Sequence, residues 1–366
     1  MNRRTFLSAI TAATLATSFR LARAQTLQSL KDAYSKDFLI GSALGGHLPN
    51  SYNAKELALI TSQFNAATPE VCMKPRPLHP KEGTWHFDEA DAYVDFCQHN
   101  NIVAFGHTLM WHEDCPDWFF EDGKKPASRK LVLERLQNHI QTILLRYKGR
   151  IRGWDVVNEA ISDSPKDFFR KTKWLETIGD DHVLHAFRFA HEADPAMQLQ
   201  YNDYNIEREP KRSKTLKLLK DLKSKGIPLT AIGIQGHWQL DNIPFADLDK
   251  AITDFSALGL KVMISELDMD VLPRRSPTTP ASAPAKTQPA TPELLKRQAD
   301  QYAKLFEIFY KHRGVNTRVA FWGIDDAHTW LNNWPTRGRY NHPLLFDRNG
   351  NPKPAYDAVI RIPQGG

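Results

Sequence analysis

Eight short apolar runs alternate with eight longer segments of helical periodicity along almost the whole chain. Buried strands are rich in β-branched and aromatic residues, as these runs are, and the segments between them are long enough for crossover helices. The predicted strands span residues 38–43, 64–68, 102–107, 151–158, 198–202, 231–235, 261–266 and 318–323, and the predicted helices span 54–63, 88–100, 128–147, 182–192, 210–225, 244–258, 291–312 and 354–360. This alternation predicts an α/β fold, a single-domain (β/α)8 TIM barrel over residues 25–366, rather than two doubly wound domains.

One segment interrupts this pattern. Residues 273–292 are rich in Pro, Ala, Ser and Thr, a composition that would also suit an interdomain linker. An eighth strand and helix still follow it, and the barrel cannot close without them. We therefore expect a Pro-rich loop after the seventh strand.

The first 24 residues have the composition of a signal peptide. Arg3 and Arg4 open the segment, a run of small and apolar residues extends from Phe6 to Phe19, and Ala22-Arg23-Ala24 has the small-x-small form of a cleavage site. The paired arginines resemble a twin-arginine signal, with an ordinary Sec signal as the alternative. Because the run is too short and too polar to span a bilayer, we expect an exported protein, periplasmic or secreted, without a membrane anchor after cleavage.

Charge and cysteine content exclude several classes of partner. The formal charge of +6 includes four arginines in residues 1–24, so the mature chain carries 6 − 4 = +2, which does not favour a nucleic-acid partner. Cys72, Cys97 and Cys115 are odd in number and lack CxxC or Cys-His spacing. One disulfide stays possible, but packing roles are favoured, and we expect neither a metal nor a cofactor.

Two predicted strands end in carboxylates. The fourth ends in Asn158-Glu159 and the seventh in Glu266, and barrel chemistry takes place at the carboxyl ends of the strands. Two carboxylates facing each other across a cleft suit glycosidic-bond cleavage, and a separation of about 5 to 5.5 Å would predict retention of configuration. Either glutamate alone equally suits a helix start or a surface position, so only the pair favours a glycosidase.

A histidine can support one of these carboxylates. Because side chains alternate along a strand, Asp268 can project to the same side as Glu266 and orient His237, which follows the sixth strand. A histidine at a strand end is equally often a core residue. Sugar rings pack on indoles, and Trp111, Trp322 and Trp330 all fall near the same rim of the barrel. One tryptophan there would more often be core, whereas three favour a sugar-binding cleft.

These residues resemble glycoside hydrolase family 10, the barrel xylanases, over essentially the whole chain after residue 24. The family landmarks recur in order: Phe64-Asn65, Glu70, Met73-Lys74, Gly106-His107-Thr108, Trp111-His112, Trp154 to Glu159, Asn202-Asp203-Tyr204-Asn205, Gln235-Gly236-His237, Glu266-Leu267-Asp268, Pro343 to Asp347 and Pro352 to Tyr356. An Asn-Glu pair alone is shared by a clan of barrel glycosidases, but the ordered set is specific.

The resemblance implies a retaining endo-β-1,4-xylanase that hydrolyses xylan, and we expect the protein to be a monomer. It implies that Glu159 is the general acid/base, that Glu266 is the nucleophile, held by His237, and that Asn158 binds the 2-hydroxyl of the sugar being cleaved. It places further residues around the substrate: His107, Lys74, Trp322 and Gln235 on the glycone side, Glu70 at the next sugar, and Tyr204 and Asn205 at the start of the aglycone side.

Two alternatives remain, a cellulase or mixed glucanase on the same barrel and a non-catalytic xylan-binding protein. The presence of both glutamates, Asn158 and His237 disfavours the second. The sequence departs from the family where Val71 replaces the usual asparagine after Glu70, removing a hydrogen bond to the second glycone sugar of about 1 kcal/mol. Glu113-Asp114 also replaces a more usual amide pairing.

Overall fold

The computed structural model describes residues 28–273, 287 and 289–365. The predicted signal peptide, residues 1–24, lies outside the described residues, and so does most of the predicted loop 273–292.

Eight parallel strands form a closed ring. They are β1 (Leu39–Leu44), β2 (Ala66–Pro69), β3 (Val103–Ala104, continuing as Gly106–Met110), β4 (Gly153–Asn158), β5 (Gln198–Asp203), β6 (Ala231–Ile234), β7 (Lys261–Asp270) and β8 (Asn316–Phe321). Each strand pairs in parallel with the next, and β8 returns to β1. The first segment of β3 pairs with β2 and its second segment with β4. The predicted (β/α)8 barrel is confirmed.

Helices surround the ring. They are α1 (Leu30–Ala33), α2 (Ala54–Gln63), α3 (Pro75–Leu78), α4 (Asp88–His99), α5 (Arg129–Arg146), α6 (Lys173–Ile178), α7 (His182–Ala193), α8 (Lys211–Ser224), α9 (Phe245–Ser256), α10 (Pro292–Lys311) and α11 (Pro354–Ile360). All eight predicted helices are among them. The sequence did not reveal α1, α3 and α6, because four to six residues are too few to show a helical period.

Side-chain caps define where several helices begin. Ser128 accepts the N–H of Leu131 at the start of α5, and Asn53 forms a reciprocal capping box with Glu56 at the start of α2. Each such cap stabilises a helix by about 1 kcal/mol by satisfying N–H groups that have no partner within the helix.

Two apolar layers hold the barrel together. A large cluster fills the space between strands and helices and includes the buried Trp154 and Phe187. A smaller cluster of Ala66, Phe105, Ala231 and Met263 comes from the strands themselves. Towards the carboxyl ends of the strands many of the buried side chains are polar instead of apolar. This is the end at which a barrel of this kind binds its ligands.

The three cysteines are buried and unbridged. The predicted packing role of Cys72, Cys97 and Cys115 is thereby confirmed. In the part of the chain that the structure describes, no helix combines the length and the apolar character needed to cross a membrane.

Candidate active site

The carboxyl ends of the strands open into a cleft of about 390 Å³. Every residue predicted for catalysis or substrate binding lines it: Glu70, Lys74, His107, Trp111, Asn158, Glu159, Tyr204, Asn205, Gln235, His237, Glu266, Trp322 and Trp330. Two further lining residues, Glu113 and Trp334, were not predicted. The structure therefore brings together at one rim side chains that come from seven strands of the barrel, β2 to β8, or from the loops after them.

A larger groove of about 550 Å³ lies on the outer wall, between α7 and α8. Its lining combines Phe168 and several leucines with surface lysines and aspartates. It lies apart from the strand ends and from both buried glutamates, so we place the chemistry in the cleft.

Glu159 directly follows β4 and is a buried carboxyl with several fixed donors. Its Oε2 accepts the indole N–H of Trp111 at 3.0 Å, and its Oε1 accepts amide N–H groups from Gln235 at 2.9 Å and Asn158 at 3.2 Å. Burial raises the pKa of Glu159, the donors from Gln235 and Trp111 partly counter this, and the nearby charge of Glu266 raises the pKa further. This carboxyl is suited to carry a proton.

Glu266 on β7 is equally buried but has the opposite shift. Its Oε1 accepts Nδ2 of Asn202 at 2.7 Å, and its Oε2 lies 3.1 Å from Nε2 of His237. Burial alone would raise the pKa of Glu266, but the hydrogen bond from His237 and the charge of His107 hold it below its ordinary value. This carboxyl is therefore suited to remain ionised and act as a nucleophile.

An amide bridge joins the two carboxyls. Asn202 donates from the same nitrogen to Glu266 and, at 3.0 Å, to Oδ1 of Asn158, whose own amide donates to Glu159. Gly233 on β6 makes room for this bridge, because a Cβ there would lie 2.3 Å from Oδ1 of Asn202. The relative position of the carboxyls is thus fixed by groups that belong to the strands.

His237 links Glu266 to Asp268, as the sequence predicted. Its Nδ1 lies 2.9 Å from Oδ2 of Asp268 while its Nε2 contacts Glu266. Burial lowers the pKa of His237, but the two carboxylates outweigh this and raise it to about 10. The ring is therefore a cation at neutral pH and donates to both carboxylates.

Three residues predicted for the glycone side, His107, Lys74 and Glu70, have partners beside the cleft. Nδ1 of the buried His107 lies 2.8 Å from Oδ2 of Asp155, which leaves Nε2 for the cleft. The ammonium of Lys74 lies 4.7 Å from the ring centre of Trp111. Glu70 lies at the same end, and burial raises its pKa while Lys74 lowers it. All three line the cleft, and their polar groups are of the kind that form hydrogen bonds with sugar hydroxyls.

Aromatic rings form a further part of the cleft wall. Trp322 packs edge-on against His107 at 5.3 Å, and Trp330 stacks with Trp334 at 4.9 Å and 30°. Trp334 is 41% exposed. It lies in a loop where a lone tryptophan gives no strand-end signal, and only its spacing of four residues from Trp330 could have indicated it.

The departure from the family at Val71 concerns the edge of the site. Val71 is 45% exposed and is not among the residues that line the cleft, whereas its neighbour Glu70 is. Glu113 lines the cleft and adds a negative charge that raises the pKa of Glu159. The effect of Val71 on glycone binding stays a prediction.

One group of side chains could approach a cation. Ligand atoms of His112, Glu113 and Glu159 lie within 4.8 Å of one another among the described residues. Both carboxylate oxygens of Glu159, however, already accept N–H groups, from Trp111 and Gln235. A metal ion there would have to displace those donors, so the geometry fits an acid/base carboxyl better than a metal ligand.

Two buried carboxyls with opposite pKa shifts, in an indole-walled cleft at the rim of a (β/α)8 barrel, define a glycoside hydrolase. The glycosyl hydrolase family 10 model matches residues 29–362. The chain belongs to that family, which confirms the family and the fold expected from the sequence.

Known proteins are similar over nearly the full length. A β-1,4-xylanase of Dictyoglomus thermophilum is 41% identical over 341 residues, which cover 93% of each chain. An endo-1,4-β-xylanase of Geobacillus stearothermophilus is 39% identical over 92% of this chain and 99% of its own. Among solved structures, a GH10 endoxylanase from a sugarcane soil metagenome superposes with a TM-score of 0.86 at 39% identity, covering 92% of this chain and 99% of its own. A mutant structure in complex with xylotriose superposes with a TM-score of 0.84 at 39% identity, covering 91% of this chain and 99% of its own.

Proposed function

We propose that Glu266 is the nucleophile and Glu159 the general acid/base of a retaining endo-β-1,4-xylanase that acts on xylan. Membership of the family confirms the endo-1,4-β-xylanase class and its retaining mechanism, and the assignment of residues to steps is the proposal. The observation that carries it is the different set of partners of the two carboxyls: Glu266 is bound by His237 and Asn202, whereas Glu159 is bound by the neutral donors of Trp111, Gln235 and Asn158. The lowered pKa of Glu266 and the raised pKa of Glu159 agree with this difference.

In the first step Glu266 attacks the anomeric carbon. Asn202 and His237 hold its two oxygens, so the attacking lone pair is oriented before substrate arrives. The protonated Glu159 donates its proton to the leaving oxygen, so the aglycone departs as an alcohol. The product of this step is a covalent xylosyl-enzyme ester on Glu266.

In the second step Glu159 changes its role. Once Glu266 is an ester it no longer carries a negative charge, so the repulsion that raises the pKa of Glu159 disappears. Glu159 then ionises more readily and removes a proton from the water that attacks the anomeric carbon, so the bond from that carbon to Glu266 breaks and Glu266 leaves as a carboxylate. Configuration at the anomeric carbon is retained because two displacements occur.

The substrate would lie across the cleft, with its glycone end against Lys74, His107 and Trp322 and its aglycone beginning at Tyr204 and Asn205. The xylotriose complex of a similar structure supports a xylo-oligosaccharide as the ligand. We also infer export by residues 1–24 and action as a monomer. The composition of the leader supports export, and the polymeric nature of xylan requires the enzyme to reach it outside the cytoplasm.

The test is sugar release from glucuronoxylan, arabinoxylan and carboxymethyl-cellulose by the mature protein and by Glu159→Ala, Glu266→Ala and Glu113→Gln variants. We expect xylan activity in the wild type, and a loss of at least about 100-fold in both alanine variants, as for removal of an acid/base or a nucleophile. Glu113→Gln removes a charge from the same cleft but no proposed catalytic group, so this variant should keep most of the activity. NMR should show the β-anomer first. Residual activity of Glu266→Ala above a hundredth of wild type would refute its role, and equal activity on cellulose would favour the glucanase alternative.

A further inference from the structure

We propose that Arg170 is a positioning residue for the acid/base step, because one guanidinium holds both the main chain of Glu159 and the aglycone residue Tyr204. The inference rests on the proposed role of Glu159. It adds a residue that does not line the cleft and that acts through two residues that do.

The main chain of Glu159 needs such support. Its φ is +60°, in the left-handed region, where a residue other than glycine costs on the order of 1–3 kcal/mol unless its surroundings hold it. Its N–H donates to the carbonyl of Asn202 at 2.9 Å. Its carbonyl accepts Nε of Arg170 at 3.1 Å. Arg170 also donates its own main-chain N–H to the carbonyl of Ala160 at 2.8 Å, so it contacts both residues that follow the end of β4.

The same guanidinium reaches the aglycone side. Nη2 of Arg170 donates to the hydroxyl oxygen of Tyr204 at 2.7 Å and to Oδ2 of Asp163 at 3.0 Å. The hydroxyl of Tyr204 in turn donates to Asp163. Tyr204 lines the cleft, whereas Arg170 and Asp163 do not. A single planar group therefore connects the backbone of the acid/base to the first aglycone residue.

Lys211 holds the ring of Tyr204 from its face. Its ammonium lies 3.8 Å from the ring centre and pairs with Oδ1 of Asp163 at 2.9 Å and with Oδ1 of Asp203 at 2.8 Å. Lys211 is almost completely buried, with 5% of its side chain exposed. The ring is thus fixed at its hydroxyl and at its face, and Arg170 is the member of this network that also contacts Glu159.

This arrangement has a specific consequence for catalysis. The donors to the carboxyl of Glu159, from Trp111 and Gln235, act on its proton affinity, whereas Arg170 acts on its position. Without Arg170 the left-handed backbone can relax and move the carboxyl away from the leaving oxygen. Protonation then suffers while attack by Glu266 does not. Lysine cannot replace Arg170, because a single ammonium cannot reproduce the directed contacts of the guanidinium. Those contacts are to the carbonyl of Glu159, the hydroxyl of Tyr204 and the carboxylate of Asp163.

The experiment compares two aryl β-xylobiosides. A phenyl leaving group needs protonation, and a 2,4-dinitrophenyl group leaves without it. For Arg170→Met we expect kcat/KM on the phenyl substrate to fall at least about 10-fold, part of the 10²–10⁴-fold that acid/base catalysis contributes, with less than about a 3-fold change on the dinitrophenyl substrate. Arg170→Lys should behave like Arg170→Met, and Tyr204→Phe should show a smaller effect of the same kind. Arg188→Met, a surface arginine on α7, should match wild type.

Several results would overturn the proposal. Equal losses on both substrates, together with a lower unfolding temperature, would mean a structural role only. Wild-type behaviour of Arg170→Lys would mean that charge and not geometry matters. Glu159→Gln, measured alongside, separates this inference from the assignment of the acid/base: if Glu159→Gln shows the leaving-group dependence and Arg170→Met does not, only the role of Arg170 fails. If neither shows it, the proposed role of Glu159 fails.

Discussion

The indole N–H of Trp330 donates to Oδ2 of Asp268 at 2.7 Å. The same oxygen accepts Nδ1 of His237 at 2.9 Å, while Oδ1 of Asp268 has no hydrogen-bond partner among the described residues. One carboxylate oxygen therefore joins the aromatic wall of the cleft to the histidine that holds Glu266. A change in the wall should reach the nucleophile through this oxygen.

Trp330→Phe tests this connection, because it keeps an aromatic ring and removes only the N–H donor. Hydrogen bonds to charged groups contribute about 1.5–3 kcal/mol, so we expect kcat/KM on xylan to fall about 10-fold or more, with kcat affected as well as KM. Steady-state kinetics on a soluble xylan or xylohexaose measures both parameters.

The matched control is Trp334→Ala. Trp334 stacks on Trp330 and lines the cleft. We expect its loss to weaken binding, raising KM by about 2- to 12-fold, the equivalent of 0.5–1.5 kcal/mol, and to leave kcat nearly unchanged. The connection would be wrong if Trp330→Phe changed KM alone, as Trp334→Ala is expected to do.

The acid limb of the pH profile should depend on His237. The pKa of Glu266 is lowered in part by the hydrogen bond from His237, so Glu266 stays ionised at weakly acidic pH, and activity is lost as pH falls through that pKa. His237→Asn can keep a donor to Asp268 while removing the donor and the charge at Glu266. The pKa of Glu266 should rise, and the acid limb of kcat/KM should move to higher pH. An unmoved acid limb would contradict the role given to His237.

The basic limb should depend on Trp111. Burial raises the pKa of Glu159, and the N–H of Trp111 counters this by stabilising the ionised form. Trp111→Phe removes that donor, so the pKa of Glu159 should rise further. Because the acid must be protonated to act, activity is lost as pH rises through this pKa, and the basic limb should move to higher pH. Measuring both limbs in this variant checks the assignment, since a shift of the acid limb instead would point to Glu266.

The order of strands and helices could be predicted because each long element carries its own period of apolar residues. The two carboxylates and His237 could be predicted because each ends or closely follows a run of buried apolar residues, and parallel strands end at one rim. The spacing of apolar residues along an element and the point where an apolar run ends are both local properties of the sequence. They require no knowledge of how the loops fold.

Other features depend on loops that fold back on the barrel. Arg170 reaches Glu159 because residues 161 and 169 form a β-bridge that brings the chain back to the end of β4. No pattern in the sequence predicts this bridge. Trp334 and Glu113 lie in loops for the same reason. The contact of His107 with Asp155 joins paired positions on the neighbouring strands β3 and β4. The sequence predicts these strands but not the register that brings the two side chains together.

A buried pair of histidines lies outside the cleft, beneath the segment that carries Lys74. Nδ1 of His79, next to α3, lies 3.1 Å from Nδ1 of His139 on α5, and neither Nε2 has a partner among the described residues. Burial lowers the pKa of His139 to about 3 and that of His79 to about 4, although the charge of Glu82 raises the latter. Both rings are therefore neutral in the folded protein at neutral pH.

This pair should make the fold sensitive to acid. Below a pH of about 6.5 the unfolded chain binds protons on both histidines and the folded protein does not. The free energy of unfolding should therefore fall as pH falls from about 6.5 towards the folded pKa values of about 4 and 3. His139→Phe removes one of these groups and keeps an aromatic ring among Trp85 and Phe119.

We expect His139→Phe to be somewhat less stable at pH 7, by about 1 kcal/mol for the lost hydrogen bond, but to lose less stability on acidification. Its unfolding temperature should drop between pH 7 and pH 4 by at least about 2 °C less than that of the wild type, since 1 kcal/mol moves this temperature by about 2–4 °C in domains of 150–250 residues. Differential scanning calorimetry measures both proteins. His86→Gln, at an exposed position, is the control and should follow the wild type, and parallel pH dependences of all three proteins would show that the pair does not limit stability in acid.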